Sequence, residues 1–297
     1  MIDFIKVFTK DKDILEQNIK QNDDLETTYV LDYRTGQICY PCRSYQNTME
    51  ARITNRTGYI RNSLHKYHND KKGLKPQNHS DFTYCNLCEA ISMLEADFKI
   101  NSAECGMTNL EFGLNITLSK SPKTIIDNHL LMYNFEEFNQ YDTFHGKGTY
   151  KQYNSSDYYI KCYDKGLQYN LSKKLLRFEI KIMKSRMLNK LGIYNLSHCG
   201  NKEALKILFD LLMERFNDMI IIDAIPEALN INAKEQHIIN MGKSSVYWKE
   251  LKLSKSKTHY YDKRLEFINT LEKYNLFTIK QEIEMALIQK FQLLINH

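Results

Sequence analysis

Three short segments of this chain alternate polar with apolar side chains, and their polar sets suit phosphodiester chemistry. Over residues 109–116, Leu110, Phe112, Leu114 and Ile116 fall on one side of an extended strand, with Asn109, Glu111 and Asn115 on the other. Over residues 158–165, Tyr158, Ile160 and Cys162 oppose Tyr159, Lys161, Tyr163 and Lys165. Over residues 176–182, Leu176, Phe178, Ile180 and Ile182 oppose Arg177, Glu179 and Lys181. The Glu111 and Glu179 carboxylates and the Asn115 amide oxygen are hard donors of the kind that hold Mg²⁺ or Mn²⁺. Lys161, Arg177 and Lys181 suit DNA phosphates. Tyr163, with Lys165 beside it, offers a hydroxyl able to attack phosphorus. Any antiparallel sheet with one wet face shows such alternation, and spacing alone does not separate Tyr163 from Tyr159, Tyr150 or Tyr153.

To act together, these residues need one sheet. Residues 166–174 are short enough to join the second and third segments as an antiparallel hairpin. If the first segment joins them, one face gathers Glu111, Asn115, Lys161, Tyr163, Lys165, Arg177 and Glu179. Upstream, residues 27–33 and 37–40 flank Arg34-Thr35-Gly36 as a second hairpin. Residues 61–66 lead into a polar loop over 68–80, expected to be exposed, that carries Lys71, Lys72 and Lys75. Helices are expected over 82–98 and from Ser121-Pro122 to Leu130, the latter with Ser121 as N-cap. Residues 202–222 place Leu205, Leu208, Leu212, Phe216 and Met219 at helical spacing, and 233–241, 265–274 and 277–294 follow as helices. The expected fold is α+β. It comprises an antiparallel sheet core with flanking helices over residues 1–222, then a smaller helical C-terminal region over 223–297.

Composition bounds the rest. The 297 residues are 42% hydrophobic and 26% charged, with a net charge of +5, enough for a sizeable core and compatible with a local basic patch. No apolar run reaches the roughly 18 residues of a membrane helix. The opening run to Val7, interrupted by Asp3, is too short for a signal peptide and reads as a strand. A cytoplasmic protein with no membrane partner is expected. The 7 cysteines include Cys39-x-x-Cys42 and Cys85-x-x-Cys88, which have zinc-ribbon spacing but lack knuckle glycines, so buried, reduced thiols are favoured. In the helical region, Lys249, Lys252, Lys255, Lys257, Lys263 and Arg264 interleave with Tyr247, Trp248, Tyr260 and Tyr261, a pattern suited to duplex or single-stranded DNA, with Lys255 and Lys257 as candidate contacts.

The same segments resemble the gene II/X family of phage replication proteins, the rolling-circle initiators of filamentous phages, and more distantly one class of plasmid initiators. The resemblance begins at Met1-Ile2-Asp3 and strengthens over residues 109–116. It continues at Ile160-Lys161-Cys162-Tyr163-Asp164-Lys165-Gly166, which is similar to an apolar strand ending in Tyr-x-Lys. It is most specific at Leu175-Leu176-Arg177-Phe178-Glu179, which resembles the family's Leu-x-Arg-Phe-Glu strand, and ends at 188–193. It covers about residues 80–220. The chain departs where the family usually has Arg, here Asn109, and in carrying Glu111 rather than Asp. His65-x-x-His68 lacks the spacing of a metal-binding histidine pair on a strand.

The resemblance implies a metal-dependent, site-specific single-strand endonuclease and strand-transferase acting at a replication origin. Tyr163 would form a 5′-phosphotyrosine and free a primer 3′-hydroxyl, and a host helicase and polymerase would be partners. A relaxase-like nicking enzyme of a mobilisable element and a non-catalytic DNA-binding protein of the same fold are the alternatives.

Overall fold

The computed structural model describes residues 1–9, 11–143 and 149–297, and of residues 140–143 the backbone only. In chain order the strands are β1 (Ile2–Thr9), β2 (Glu26–Leu31), β3 (Ile38–Gln46), β4 (Met49–Ile53), β5 (Gly58–Ser63), β6 (Cys105–Thr117), β7 (Leu130–Tyr133), β8 (Gln140–Thr143), β9 (Thr149–Asn154), β10 (Tyr158–Asp164), β11 (Leu175–Ile182) and β12 (Met219–Ile221). β7 pairs with β12, and the other 10 strands form one sheet in the order β2-β3-β4-β5-β1-β6-β11-β10-β9-β8. Every neighbouring pair is antiparallel. The fold is α+β, and the three chemistry-bearing segments are adjacent strands β6, β11 and β10, the last two joined as the expected hairpin.

Helices Lys202–Asn217 and Thr278–Asn296 cover the apolar face. Phe112 on β6 meets Phe291 at 6.4 Å between ring centroids, Phe178 on β11 meets Phe216 at 5.5 Å, and Phe209 stacks on Phe291 at 4.1 Å. Burying these rows drives the alternating residues to the opposite face. A register shift between Ile2 and Ile5, where β1 pairs with β6, lets both isoleucines enter the core despite their odd spacing, and Asp3 turns to the polar face.

The central strands approach so closely that Gly113 on β6, opposite Glu179, has no room for a side chain. A Cβ there would lie 2.4 Å from Glu179 Cβ and 2.8 Å from the Phe178 carbonyl oxygen. Gly113→Ala is therefore expected to lower unfolding free energy by about 1–3 kcal/mol in urea titration. An unchanged midpoint would mean that the strands separate freely here.

Several expectations change. The helix expected over 202–222 stops at Asn217, and Met219–Ile221 forms β12, as its paired isoleucines favour. From Ser121 only Pro122–Thr124 is α-helical; Ile125–His129 widens into a π turn, Leu130 starts β7, and Ser121 makes no side-chain cap bond. The 68–80 segment is not an open basic loop. Helix Leu64–Lys71, capped by Ser63, carries its start; His68, Asn69 and Asn78 are buried, Lys71 pairs with Asp97 at 3.0 Å, and Lys72 pairs with Glu89. Residues 223–297 divide between two cores: the last helix packs into the main one, while Ile239, Trp248, Tyr260, Phe267 and Leu271 surround Met132, Phe135 and Ile220 in a second.

All 7 cysteines are free; Cys85 is exposed rather than buried. Among the described residues none joins a metal-type cluster. Among the described residues, too, no helix is long and apolar enough to cross a membrane.

Candidate active site

Register places the polar side chains in rows. Arg177 stands opposite Asn115 and Tyr163, Glu179 opposite Gly113 and Lys161, and Lys181 opposite Glu111 and Tyr159. β1 adds Asp3 from the far side of β6. The result is a cluster of three buried carboxylates, Asp3, Glu111 and Glu179, with one oxygen from each within 4.8 Å of the others.

Basic side chains bind this cluster from two sides. Arg177 donates through Nε to Glu179, through Nη1 to Asn115 Oδ1 at 3.0 Å and through Nη2 to Asp3 Oδ2 at 3.4 Å. Lys161 Nζ lies 3.0 Å from Glu179 Oε1 and 3.5 Å from Glu111 Oε2, and Lys181 Nζ also stands 3.5 Å from Glu111 Oε2. Asp3 further accepts from Ser63 Oγ and Asn78 Nδ2. Tyr163 is 4% exposed, and its hydroxyl donates to Glu179 Oε2 at 3.3 Å. Lys165 Nζ donates to Asn78 Oδ1 at 2.8 Å and to the Tyr163 oxygen at 3.4 Å.

The charges are unevenly matched. Burial would raise the Glu179 carboxyl, but Lys161 and Arg177 outweigh it and hold the group well below the usual range. Asp3 is likewise lowered, with Arg177 and then Lys165 overcoming burial. Glu111 goes the other way. Burial and the neighbouring Glu179 charge push it up to about 7 against the pull of Lys161. Burial, reinforced by Arg177, brings Lys165 down to about 7. Burial and Glu179 push the Tyr163 phenol well above its ordinary value. Three carboxylates this close, one of them resisting ionisation, form a hard oxygen donor set of the kind that accepts a divalent cation.

Each expected site residue can now be placed. Glu111 and Glu179 sit in the cluster, with Tyr163 and Lys161 against it. Lys165 arrives from outside the strand, as the first residue of the helical turn Lys165–Gln168. Arg177, expected on DNA phosphate, is 3% exposed, and its guanidinium is engaged by two carboxylates and an amide. Asn115, expected as a metal ligand, accepts from Arg177 and donates to the Asn78 carbonyl at 3.0 Å, so its amide is already committed. Lys181 spans Glu111 and the Phe4 ring, 4.3 Å from the ring centroid. Lys255 and Lys257 are exposed, where helix Ser245–Ser254 gives way to helix Lys257–Lys273. Trp248 and Tyr260 beside them are buried in the second core and present no stacking surface.

The sequence reading missed Asp3 and Asn78. A signal for Asp3 was present: an acidic residue inside an apolar strand must find a buried partner. His65 is neutral, pushed down to about 3 by burial, and stacks on Phe82 at 4.6 Å between ring centroids.

No protein-family model matches this sequence. No curated protein matches it either. Among solved structures it is similar to a rolling circle replication initiator protein from Geobacillus stearothermophilus, with 12% identity and a TM-score of 0.41, over 79% of this chain and 89% of that one. Likeness at that level fixes no function, and the side chains must carry the assignment.

Proposed function

We infer that the protein is a metal-dependent DNA-nicking and strand-transfer enzyme that initiates rolling-circle replication, with Tyr163 as nucleophile. The observation that carries this is the convergence of Asp3, Glu111 and Glu179 with a tyrosine hydroxyl 3.3 Å from one of their oxygens. The Leu-x-Arg-Phe-Glu strand, placed one hairpin from Tyr163, supports the replication context.

Asp3, Glu111 and Glu179 would hold Mg²⁺ or Mn²⁺, which would polarise the scissile phosphate and steady the charge on the leaving oxygen. Lys165, which burial brings down to about 7, lies 3.4 Å from the phenol oxygen; in its neutral form, with the hydroxyl turned from Glu179 toward the amine, it takes the phenolic proton as Tyr163 attacks phosphorus. The bond from phosphorus to the 3′-oxygen breaks, that oxygen leaves as a hydroxyl after taking a proton from water, and the 5′-phosphate stays on Tyr163. Lys161 and Lys181, at the less buried edge of the cluster, face the incoming phosphate.

Binding a cation to the folded chain alone must raise its melting temperature. At about 100 times Kd the gain is about 2.7 kcal/mol, or roughly 4–5 °C for a chain of this size. Mn²⁺ after EDTA treatment is expected to give this shift in the wild type and in Asn115→Ala, and none in Asp3→Asn or Glu179→Gln. A wild-type chain whose melting ignores Mn²⁺ would remove the metal from the proposal.

A further inference from the structure

The polar face of the sheet continues past the carboxylates onto β1, β5, β4 and β3, where two arginines stand side by side. Arg43 on β3 pairs directly with Arg52 on β4, and Arg52 in turn stands opposite Tyr59 on β5. Their strand neighbours Cys42, Ser44, Ala51, Ile53 and Ile60 are buried. Alternation therefore puts Arg43, Arg52 and Tyr59 on the same side as Glu111 and Glu179.

Like charges directly opposite each other weaken a strand pair unless a counter-charge lies between them. The next row of these strands has one: Arg61 meets Glu50 at 2.8 Å. The Arg43–Arg52 row does not. Among the described residues no carboxylate forms an ion pair with either guanidinium, and Arg52 Nε is buried without a hydrogen-bond partner. Arg52 also lines a shallow depression with Arg56, Tyr40 and Tyr59. Lys6 lies 4.3 Å from the Tyr59 ring centroid, whereas Tyr40 is held by Lys12 and by Glu16, to which its hydroxyl donates at 2.7 Å. Unmatched guanidinium groups beside aromatic rings are suited to a strand of phosphates with its bases laid against the rings. Arg52's row meets β6 at Gly106, seven residues from Gly113, which stands opposite Glu179; with four strand spacings between β4 and β11, the two sites lie roughly 30 Å apart, a span that several nucleotides of one DNA strand can cover.

We propose that Arg43 and Arg52 form a second DNA-binding site, holding backbone phosphates of the strand that enters the carboxylate cluster, with Tyr59 as a surface for its bases. This rests on the nicking role inferred above, but its test does not need nicking. Affinity of the full chain for a fluorescein-labelled single-stranded DNA of mixed sequence is measured by anisotropy in EDTA across a salt series. Arg43→Ala and Arg52→Ala are each expected to weaken binding about tenfold. The double variant is expected to flatten the log–log salt slope by about 1.4, two single-strand phosphate contacts. Arg52→Lys, which keeps the charge, is expected to keep the slope. Relief of the like-charge pair should leave the alanine variants melting at or above wild type, which separates lost contacts from lost fold.

An unchanged affinity and slope in the double variant overturns the site, as does absence of wild-type binding or tighter binding of RNA of the same sequence. Nicking of supercoiled plasmid by the wild type with Mn²⁺ is scored separately. Its failure would strike the inferred activity while the binding data still judge the arginines.

Discussion

Tyr163→Phe is expected to reduce nicking of a supercoiled plasmid carrying the cognate origin by a factor on the order of 10⁴ or more, while binding of the same DNA stays close to wild type. The substitution removes one oxygen and leaves the ring on the sheet. The lost contacts include those with Glu179 at 3.3 Å and Lys165 at 3.4 Å, together worth about 1–2 kcal/mol of stability, so the variant should fold. A structural tyrosine at this position would lose stability and keep activity; a nucleophile does the reverse. Tyr159 is the control, because it lies on the same strand face opposite Lys181. Tyr159→Phe should nick normally, and peptide mapping of the covalent DNA adduct should find Tyr163. A Tyr163→Phe chain that still nicks, or an adduct on Tyr159, ends the assignment. Lys165→Met gives a graded companion result. Because burial brings Lys165 down to about 7 beside the phenol, its loss should slow nicking most near neutral pH and least in alkaline buffer, where hydroxide can take the proton instead.

The sequence made one part of this site visible and hid another for a definable reason. Residues two apart on a strand share a face whatever the strand pairs with. Arg177 with Glu179, and Lys161 with Tyr163, could therefore be grouped before any pairing was known, and the short link between their strands pointed to an antiparallel hairpin, whose register the structure supplies. Asp3 and Asn78 could not be grouped that way. Asp3 reaches the cluster because β1 inserts between β5 and β6 with a register shift, a long-range pairing that no local pattern encodes. Asn78 comes from a segment whose polarity suggested solvent, yet its side chain bonds Asp3 and Lys165 in the interior. Burial likewise changed the meaning of Arg177 and Trp248. Their residue types suggested DNA contacts, but each has its chemistry satisfied inside the protein.

Arg177→Met should be the most destabilising of the site substitutions. The guanidinium is 3% exposed and touches Asp3 and Glu179, themselves 5% and 1% exposed. Removing it leaves two carboxylates in the interior without their main counter-charge, a change worth about 3–5 kcal/mol, or a melting point lower by roughly 5–8 °C. The deficit should depend on pH in one direction. In the folded wild type both carboxyls are held below their ordinary range. Each therefore stabilises the fold above the unfolded values of about 3.9–4.3, and that contribution fades as pH falls through the folded-state values. Without Arg177 the folded-state values rise and the contribution is lost, so the gap between the two chains should be widest at neutral pH and close as the medium becomes acid. Pairing the change with Glu179→Gln should recover part of the loss, since the orphaned charge goes with its partner. Melting curves of the four chains between pH 7 and pH 4 would decide the matter. A gap that is absent at pH 7, or that widens in acid, would show that Arg177 is not what keeps the buried carboxylates ionised and aligned for Tyr163.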